Sequence, residues 1–431
     1  MRYTCIAIIL CSILKNASGQ YNVSGKLLVF LLDGLRYDYL NNLDTFPGFQ
    51  KIVENGVKVD YLTPEFPSLS FPNYYSLMTG RYTEVHQMIA NKMWDMKPNT
   101  EFSLDDPLWW NGSEPLWVTM QKLDKRVYMY YWPGCDVEIL GVRPSFCEPY
   151  KPNITEKNLT DAMEHALDAL NDGQADMAAV FYDKVDVIGH LFGPQSLSDE
   201  LHCLDRAMKA LNEKVVEKNM SDVLNIVMFS DHGMSEITNL IELDKHINLS
   251  DVFMVLDVGP VMSLWPKEEK FEEIFTALSA LENMTTYRRA DIPDRFNYKK
   301  GKFVSTLTLV AKPGTVITPT FQAVLDLHFQ PSTSGGKHGA HGYDNELVEM
   351  RGFFVAKGPD FKSNFRAGPI RAVDAYSVMC HTLGIEPLPN NGSFDRVRAM
   401  LRESSTAVPV TQDSCLLVLI GLFTCLHVSL H

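Results

Sequence analysis

The sequence predicts an α/β protein with a mostly parallel central sheet, helices on both faces and an inserted lobe. Three observations carry that expectation. Lys26 to Leu32, Met177 to Tyr182 and Leu224 to Phe229 are continuous apolar runs of strand length, the pattern of strands covered on both sides. Each run leads into acidic residues: Asp33, then Asp183 and Asp186, then Asp231. Long stretches with helical character separate the runs, as crossover connections between parallel strands require. In open α/β sheets ligands bind at the carboxyl ends of the strands, so this pattern delivers several carboxylates to one edge. Unless cations neutralise them, such carboxylates repel one another.

The 39 Lys+Arg against 53 Asp+Glu give a net charge of −14, and 45% of the residues are hydrophobic. That composition is globular. Its acidity argues against nucleic-acid binding and against adhesion to anionic lipid. A small phosphorylated substrate remains compatible, because a metal ion overrules net charge locally.

Residues 1–19 read as a secretory signal: Arg2, a short apolar core from Cys5 to Leu14, then Ala17-Ser18-Gly19. At the other end, Ser404-Ser405-Thr406, a spacer and the apolar run Cys415 to Leu430 read as a GPI-attachment signal, with 405–431 removed. The expected mature chain, 20–404, is one catalytic domain with an insertion over roughly 248–335. Its expected location is the extracellular face of the plasma membrane, held by a GPI lipid. N-glycosylation sequons from Asn22 to Asn391 agree with that location. Cys135 and Cys147 bracket a short stretch with Pro and Gly and are the best pair for a local disulfide, while the pairing of Cys203 and Cys380 stays open. Oligomeric state is also open, a homodimer being compatible.

Asp33 and Gly34 close the first strand. Ser70 precedes Phe71-Pro72-Asn73 and a helix-prone run, which puts it at a helix N-terminus, where the dipole and free N–H groups favour an oxyanion and a phosphate. A serine hydroxyl is a weak nucleophile at neutral pH, and metal coordination is the natural activator. Asp186 and His190 are four apart and share one face of a helical turn. Asp231 and His232 are adjacent, and Gly233 permits the bend that turns both inward. His341 sits in a glycine-flanked loop. Aspartate oxygens with imidazole nitrogens and no thiolate suit Zn²⁺ in a catalytic site. His86, His165, His246 and His328 read as structural.

The ordered set Asp33-Gly34, Ser70-Phe71-Pro72-Asn73, Asn91-x-Met93-x-Asp95, Asp186-x₃-His190, Asp231-His232-Gly233 and His341-Gly342-Tyr343 resembles the ectonucleotide pyrophosphatase/phosphodiesterase family of the alkaline-phosphatase superfamily. The similarity spans nearly all of 20–404 and implies an alkaline-phosphatase-like fold. It implies two zinc ions, one held by Asp33, Ser70, Asp231 and His232, the other by Asp186, His190 and His341. It further implies that Ser70 attacks phosphorus and that Asn91 donates a hydrogen bond to a phosphate oxygen. Substrate phosphate, bridging the metals, would thus meet Ser70, Asn91, Asp186 and His341. Neither Arg36 nor Arg81 clearly serves as a phosphatase-type arginine.

Within the family, Ser70 with its LSFPNYY context and the segments NKMWD and PLWWNGSEPLW are most similar to the choline-specific glycerophosphodiester phosphodiesterase branch. That likeness implies release of phosphocholine from glycerophosphocholine and lysophosphatidylcholine. A quaternary ammonium lacks N–H donors and is best held by aromatic faces. Trp94, Trp110, Phe181 and Tyr182 are the candidate choline pocket, with Trp109 and Tyr131 nearby and Asp95 and Asp183 as anionic partners. Two other functions compete: a nucleotide pyrophosphatase/phosphodiesterase with the same zinc chemistry, and a GPI-anchored binding protein without catalysis.

Overall fold

The computed structural model describes residues 25–326 and 338–403. The signal segment, the tail 405–431, His328 and part of the expected insertion lie outside the described residues. Lys26–Leu32 (β1), Gly56–Val59 (β2), Val127–Tyr130 (β3), Phe146–Glu148 (β4), Met177–Tyr182 (β5) and Leu224–Phe229 (β6) join Phe354–Lys357 (β11) and Phe365–Ala367 (β12) in an eight-stranded sheet. Its order is β12-β2-β11-β6-β1-β5-β3-β4. β1 lies at the centre, parallel to β5 and β6. β11 alone runs against its neighbours, antiparallel to both β2 and β6, so the sheet is mixed.

Leu27 to Leu32 have no exposed surface, and β5 and β6 are equally buried. A strand buried on both faces can be apolar at every position, which accounts for the unbroken runs. Each fully buried Leu, Val or Phe contributes about 1.5–3 kcal/mol. Because the three strands are parallel and in register, their carboxyl ends open on one edge. There Asp33 follows β1, Asp183 follows β5, and Ser230-Asp231 follows β6.

The helices that matter for the site and its surroundings are Pro47–Glu54 (α1), Ser70–Thr79 (α2), Glu156–Asn171 (α3), Lys184–Phe192 (α4), Ser198–Glu217 (α5) and Ala372–Leu383 (α6). Residues 252–311 form a second, antiparallel sheet from Val252–Leu256 (β7), Val261–Pro266 (β8), Met284–Arg288 (β9) and Leu307–Ala311 (β10), in the order β7-β8-β10-β9. It has its own apolar core around Leu264, Leu278, Leu307 and Leu309. Cys135 and Cys147 form a disulfide, and Cys203 and Cys380, on α5 and α6, are free thiols. No described helix is long and apolar enough to cross a membrane.

Candidate metal centre

The edge formed by β1, β5 and β6 gathers residues that are far apart along the chain. Asp33 leaves β1 into Gly34, whose φ of +70° belongs to the left-handed region. A Cβ on Gly34 would come within 2.9 Å of the Asp186 Cα, so the absence of a side chain lets the first turn of α4 approach β1. The Gly34 N–H also donates to Asp231 Oδ1 at 3.2 Å. Asp186 and His190 share one face of α4, with His190 Nε2 3.3 Å from Asp186 Oδ2. His341 is delivered by the short strand Gly339–Ala340, which pairs antiparallel with Ser235–Glu236 just beyond His232. The two loops are thereby stapled together, and the His232 and His341 rings stack with centroids 3.5 Å apart.

Each of the three imidazoles has its Nδ1 against a backbone carbonyl: His190 on Gly339, His232 on Gly233 and His341 on Ser68, all at 2.8–2.9 Å. A carbonyl only accepts, so Nδ1 carries the proton and Nε2 presents its lone pair inward. The three Nε2 atoms meet acceptors: Asp231 Oδ2 lies 3.0 Å and Asp33 Oδ1 3.4 Å from His232 Nε2, and Asp186 Oδ1 lies 3.5 Å from His341 Nε2. Asp33 Oδ1, Asp186 Oδ1 and Asp231 Oδ2 are buried without a hydrogen-bond donor. Lone pairs converging from nitrogen and oxygen with no proton between them are the donor set of a cation site. Asp33-Asp231-His232 and Asp186-His232-His341 each place ligand atoms close enough for one ion. The residues therefore fit divalent metal.

Electrostatics agree. Burial, then the charges of Asp231 and Asp186, push Asp33 well above the usual carboxylate range, against a hydrogen bond from the Tyr74 hydroxyl. Burial likewise raises Asp186. Burial and the neighbouring His232 and His190 force His341 well below its usual value. For His232, burial pulls downward, but the charge and hydrogen bond of Asp231, the charge of Asp186 and the Gly233 carbonyl together outweigh it, and the net direction is up. Without a cation, this cluster holds like charges that resist being ionised together.

Ser70 is the first residue of α2, with Leu69 as its N-cap, so it is not the cap itself. Its Oγ lies 3.2 Å from His232 Nε2. Asn91 Oδ1 accepts from the Phe71 N–H at 3.0 Å, which aims the Asn91 amide donors away from α2. Asn91 lines a cavity of about 170 Å³ together with Leu69, Lys92, His190, Asp257 and His341. Arg36 is tied to Asp38 and to the Met234 carbonyl and is not free to meet a phosphate.

The expected choline pocket does not assemble. Trp94 packs on Phe253 and Trp265 beside the second sheet. Trp110 is buried against Phe71 and Tyr75, its indole N–H donating to the Leu104 carbonyl. Trp109 is fully buried against Phe102 and Phe303. Tyr131 faces Lys151. Phe181 and Tyr182 are neighbours on β5, so their side chains leave on opposite faces: Phe181 packs on Tyr74 and Tyr150, while the Tyr182 hydroxyl donates to Glu200. Asp95 is paired with Lys302, and Asp183 accepts the Asn153 and Ile154 N–H groups. All of these are structural contacts.

Sequence reasoning passed over two aromatic residues that do flank the centre. Phe71, beside Ser70, and Tyr150, just after β4, are half-buried. The Tyr150 hydroxyl stands in the field of Asp183, Asp33 and Asp186; burial first, then those charges, raise it. Adjacency to Ser70 was the available signal for Phe71. Nothing local marked Tyr150.

Residues 27–344 match the family model described as type I phosphodiesterase/nucleotide pyrophosphatase. The bis(5'-adenosyl)-triphosphatase of Mus musculus is 34% identical over 385 residues, 87% of this chain and 81% of that protein. The ectonucleotide pyrophosphatase/phosphodiesterase family member 5 of Homo sapiens is 32% identical over 404 residues, 91% of this chain and 81% of that protein. Among solved structures, an inactive variant of murine ectonucleotide pyrophosphatase/phosphodiesterase 5 in complex with AMP superposes with a TM-score of 0.79 at 32% identity, covering 88% of this chain and all of that one.

Proposed function

The chain belongs to the type I phosphodiesterase/nucleotide pyrophosphatase family, and from that premise we propose that it hydrolyses nucleotide phosphodiester or pyrophosphate bonds at a two-zinc centre. The observation that carries this reading is the convergence of three Nε2 lone pairs and three unpartnered carboxylate oxygens beside the Ser70 hydroxyl. Asp33, Ser70, Asp231 and His232 would hold one ion, and Asp186, His190 and His341 the other. Bound there, the metals supply positive charge that polarises the phosphoryl group and eases ionisation of a hydroxyl.

The chain's own groups do the rest. Ser70 Oγ, at the head of α2, bonds to phosphorus as the leaving oxygen departs, giving a phosphoester on Ser70 that water then cleaves. The Asn91 amide, fixed through the Phe71 N–H, donates to a non-bridging phosphate oxygen. Backbone carbonyls at Nδ1 hold the histidine rings in one tautomer throughout. Phe71 and Tyr150, both half-buried beside the centre, are the aromatic groups against which a nucleobase would stack, with neither a charge requirement nor strong base preference. The relatives whose names specify adenosine-containing ligands support this class of substrate.

A second reading keeps the chemistry and changes the substituent to choline, as in glycerophosphocholine or lysophosphatidylcholine. The ring faces of Phe71 and Tyr150 also suit a trimethylammonium group, and the acidic field around the Tyr150 hydroxyl favours a cation. The purified ectodomain, with and without chelator, should be given bis(5'-adenosyl) triphosphate, glycerophosphocholine and lysophosphatidylcholine. AMP release at least tenfold faster than phosphocholine release supports the nucleotide reading; the reverse ratio assigns the choline one. No turnover of any of them would leave a binding protein. Display through a GPI lipid is the proposed localisation, and release from intact cells by a phosphatidylinositol-specific phospholipase C tests it.

A further inference from the structure

A cavity of about 820 Å³ lies at the opposite end of the central sheet from Ser70. Leu224, the first residue of β6, and Lys357, the last of the antiparallel β11, both line it. The length of β6, roughly 20 Å, separates it from Asp231. Its walls are α1 and α5, brought together at Gly48, where a Cβ would fall 2.2 Å from the Asp205 carbonyl oxygen. Cavities of this size hold drug-sized ligands.

The floor of the cavity carries an uncompensated cation. Lys357 Nζ donates to Asn212 Oδ1 at 2.6 Å, and the Asn212 amide is fixed by its own bonds to the Gly48 and Met208 carbonyls. Among the described residues no carboxylate pairs with Lys357, and the other charge that acts on it is that of Lys51. Burial first, and then Lys51, push the ammonium down to about 8. Lys51 and Lys209, both exposed on the rim, also lack a carboxylate partner among the described residues. Arg402 also lines the cavity, as do Glu213, Glu217 and Asp222, and among the described residues none of these carboxylates forms an ion pair with the three lysines. Beside the lysines, Val216 is 67% exposed and lines the same cavity as the exposed Pro47. A partly desolvated ammonium with unused donors next to an uncovered apolar wall is complementary to an anionic head on an apolar body.

We propose that this cavity is a second ligand site for an anionic amphiphile, whose phosphate or carboxylate head rests on Lys357, Lys51 and Lys209 while its apolar body covers Val216 and Pro47. The site is separate from the metal centre and takes no part in hydrolysis.

The metal-loaded full chain should be titrated calorimetrically with octyl phosphate, and with inorganic phosphate as the head group alone. Two binding events are expected for octyl phosphate, one at the metals and one in the cavity. Lys357→Met should weaken the second event more than tenfold with substrate hydrolysis unchanged, and Lys357→Arg should retain it. Inorganic phosphate should bind the cavity at least tenfold more weakly. Equal affinities for the two probes would overturn the amphiphile assignment. A single event, unaffected by Lys357→Met and removed by chelator, would overturn the site. Should Lys357→Met fail to fold, the exposed pair Lys51→Glu/Lys209→Glu gives the same test, and unchanged binding in that variant overturns the site.

Discussion

His190 Nε2 and His341 Nε2 face each other 3.1 Å apart, although each ring has already committed its N–H to a backbone carbonyl. Two imidazole lone pairs in that position repel unless an electrophile sits between or beside them. Removing metal should therefore destabilise the fold as well as end catalysis. Chelator should lower the midpoint of thermal unfolding by several degrees, and added Zn²⁺ should restore both midpoint and activity. An unchanged midpoint after verified metal loss would show that the cluster needs no cation.

Ser70→Ala separates chemistry from metal binding. The side chain is small, stands at the first position of a ten-residue helix whose N-cap is Leu69, and its Oγ contacts His232 Nε2. Turnover should fall by on the order of 10³-fold or more. Zinc per chain and unfolding midpoint should stay near wild type, because the aspartates and histidines remain. Substantial residual turnover would remove Ser70 from the reaction.

Much of this centre was legible in the residues, for a physical reason. A strand buried on both faces is apolar throughout and ends where polarity begins, so β1, β5 and β6 coincide with the runs Lys26 to Leu32, Met177 to Tyr182 and Leu224 to Phe229. The Asp186–His190 contact follows from helical period alone. What escaped depends on tertiary approach. The pairing of Gly339–Ala340 with Ser235–Glu236, which seats His341, has no local signature, nor has the antiparallel insertion of β11. The choline pocket failed on a point that strand geometry already contained, since Phe181 and Tyr182 cannot face one ligand together.

Asn91 plays two parts that one pair of substitutions distinguishes. Asn91→Asp keeps an acceptor for the Phe71 N–H but replaces the amide donors by negative charge. Asn91→Ala loses both. Loss of one oxyanion donor costs about 10²–10³ in kcat, so both variants should be impaired, with Asp at least as poor as Ala. Activity in Asn91→Asp close to wild type would mean that Asn91 only braces α2.

Phe71 and Tyr150 should govern recognition and leave the chemistry alone. Base stacking on an aromatic ring is worth about 1–3 kcal/mol, so Tyr150→Ala should raise KM for bis(5'-adenosyl) triphosphate roughly 10- to 100-fold with a smaller change in kcat. Hydrolysis of bis(p-nitrophenyl) phosphate, with no nucleoside to hold, serves as control. An equal loss on both substrates would place Tyr150 among the groups that shape the metal centre.

Glu65 gives a pH-dependent test outside the centre. It is 1% exposed, its Oε1 has no hydrogen-bond donor, and Arg371 Nε stands 3.9 Å away. Burial raises its carboxyl from 4.5 to about 7, only partly opposed by Arg371. Between those values the folded chain keeps a proton that the unfolded chain releases, so this group's contribution to stability declines as pH rises from 4.5 to 7 and stays low above. A shift of that size corresponds to roughly 3 kcal/mol. Glu65→Gln carries no such penalty, so its stability relative to wild type should increase by about that amount between pH 4.5 and pH 8, read from urea unfolding of the metal-loaded proteins. Parallel pH profiles for the two would mean that Glu65 is ionised in the folded chain throughout, with Arg371 compensating for its burial.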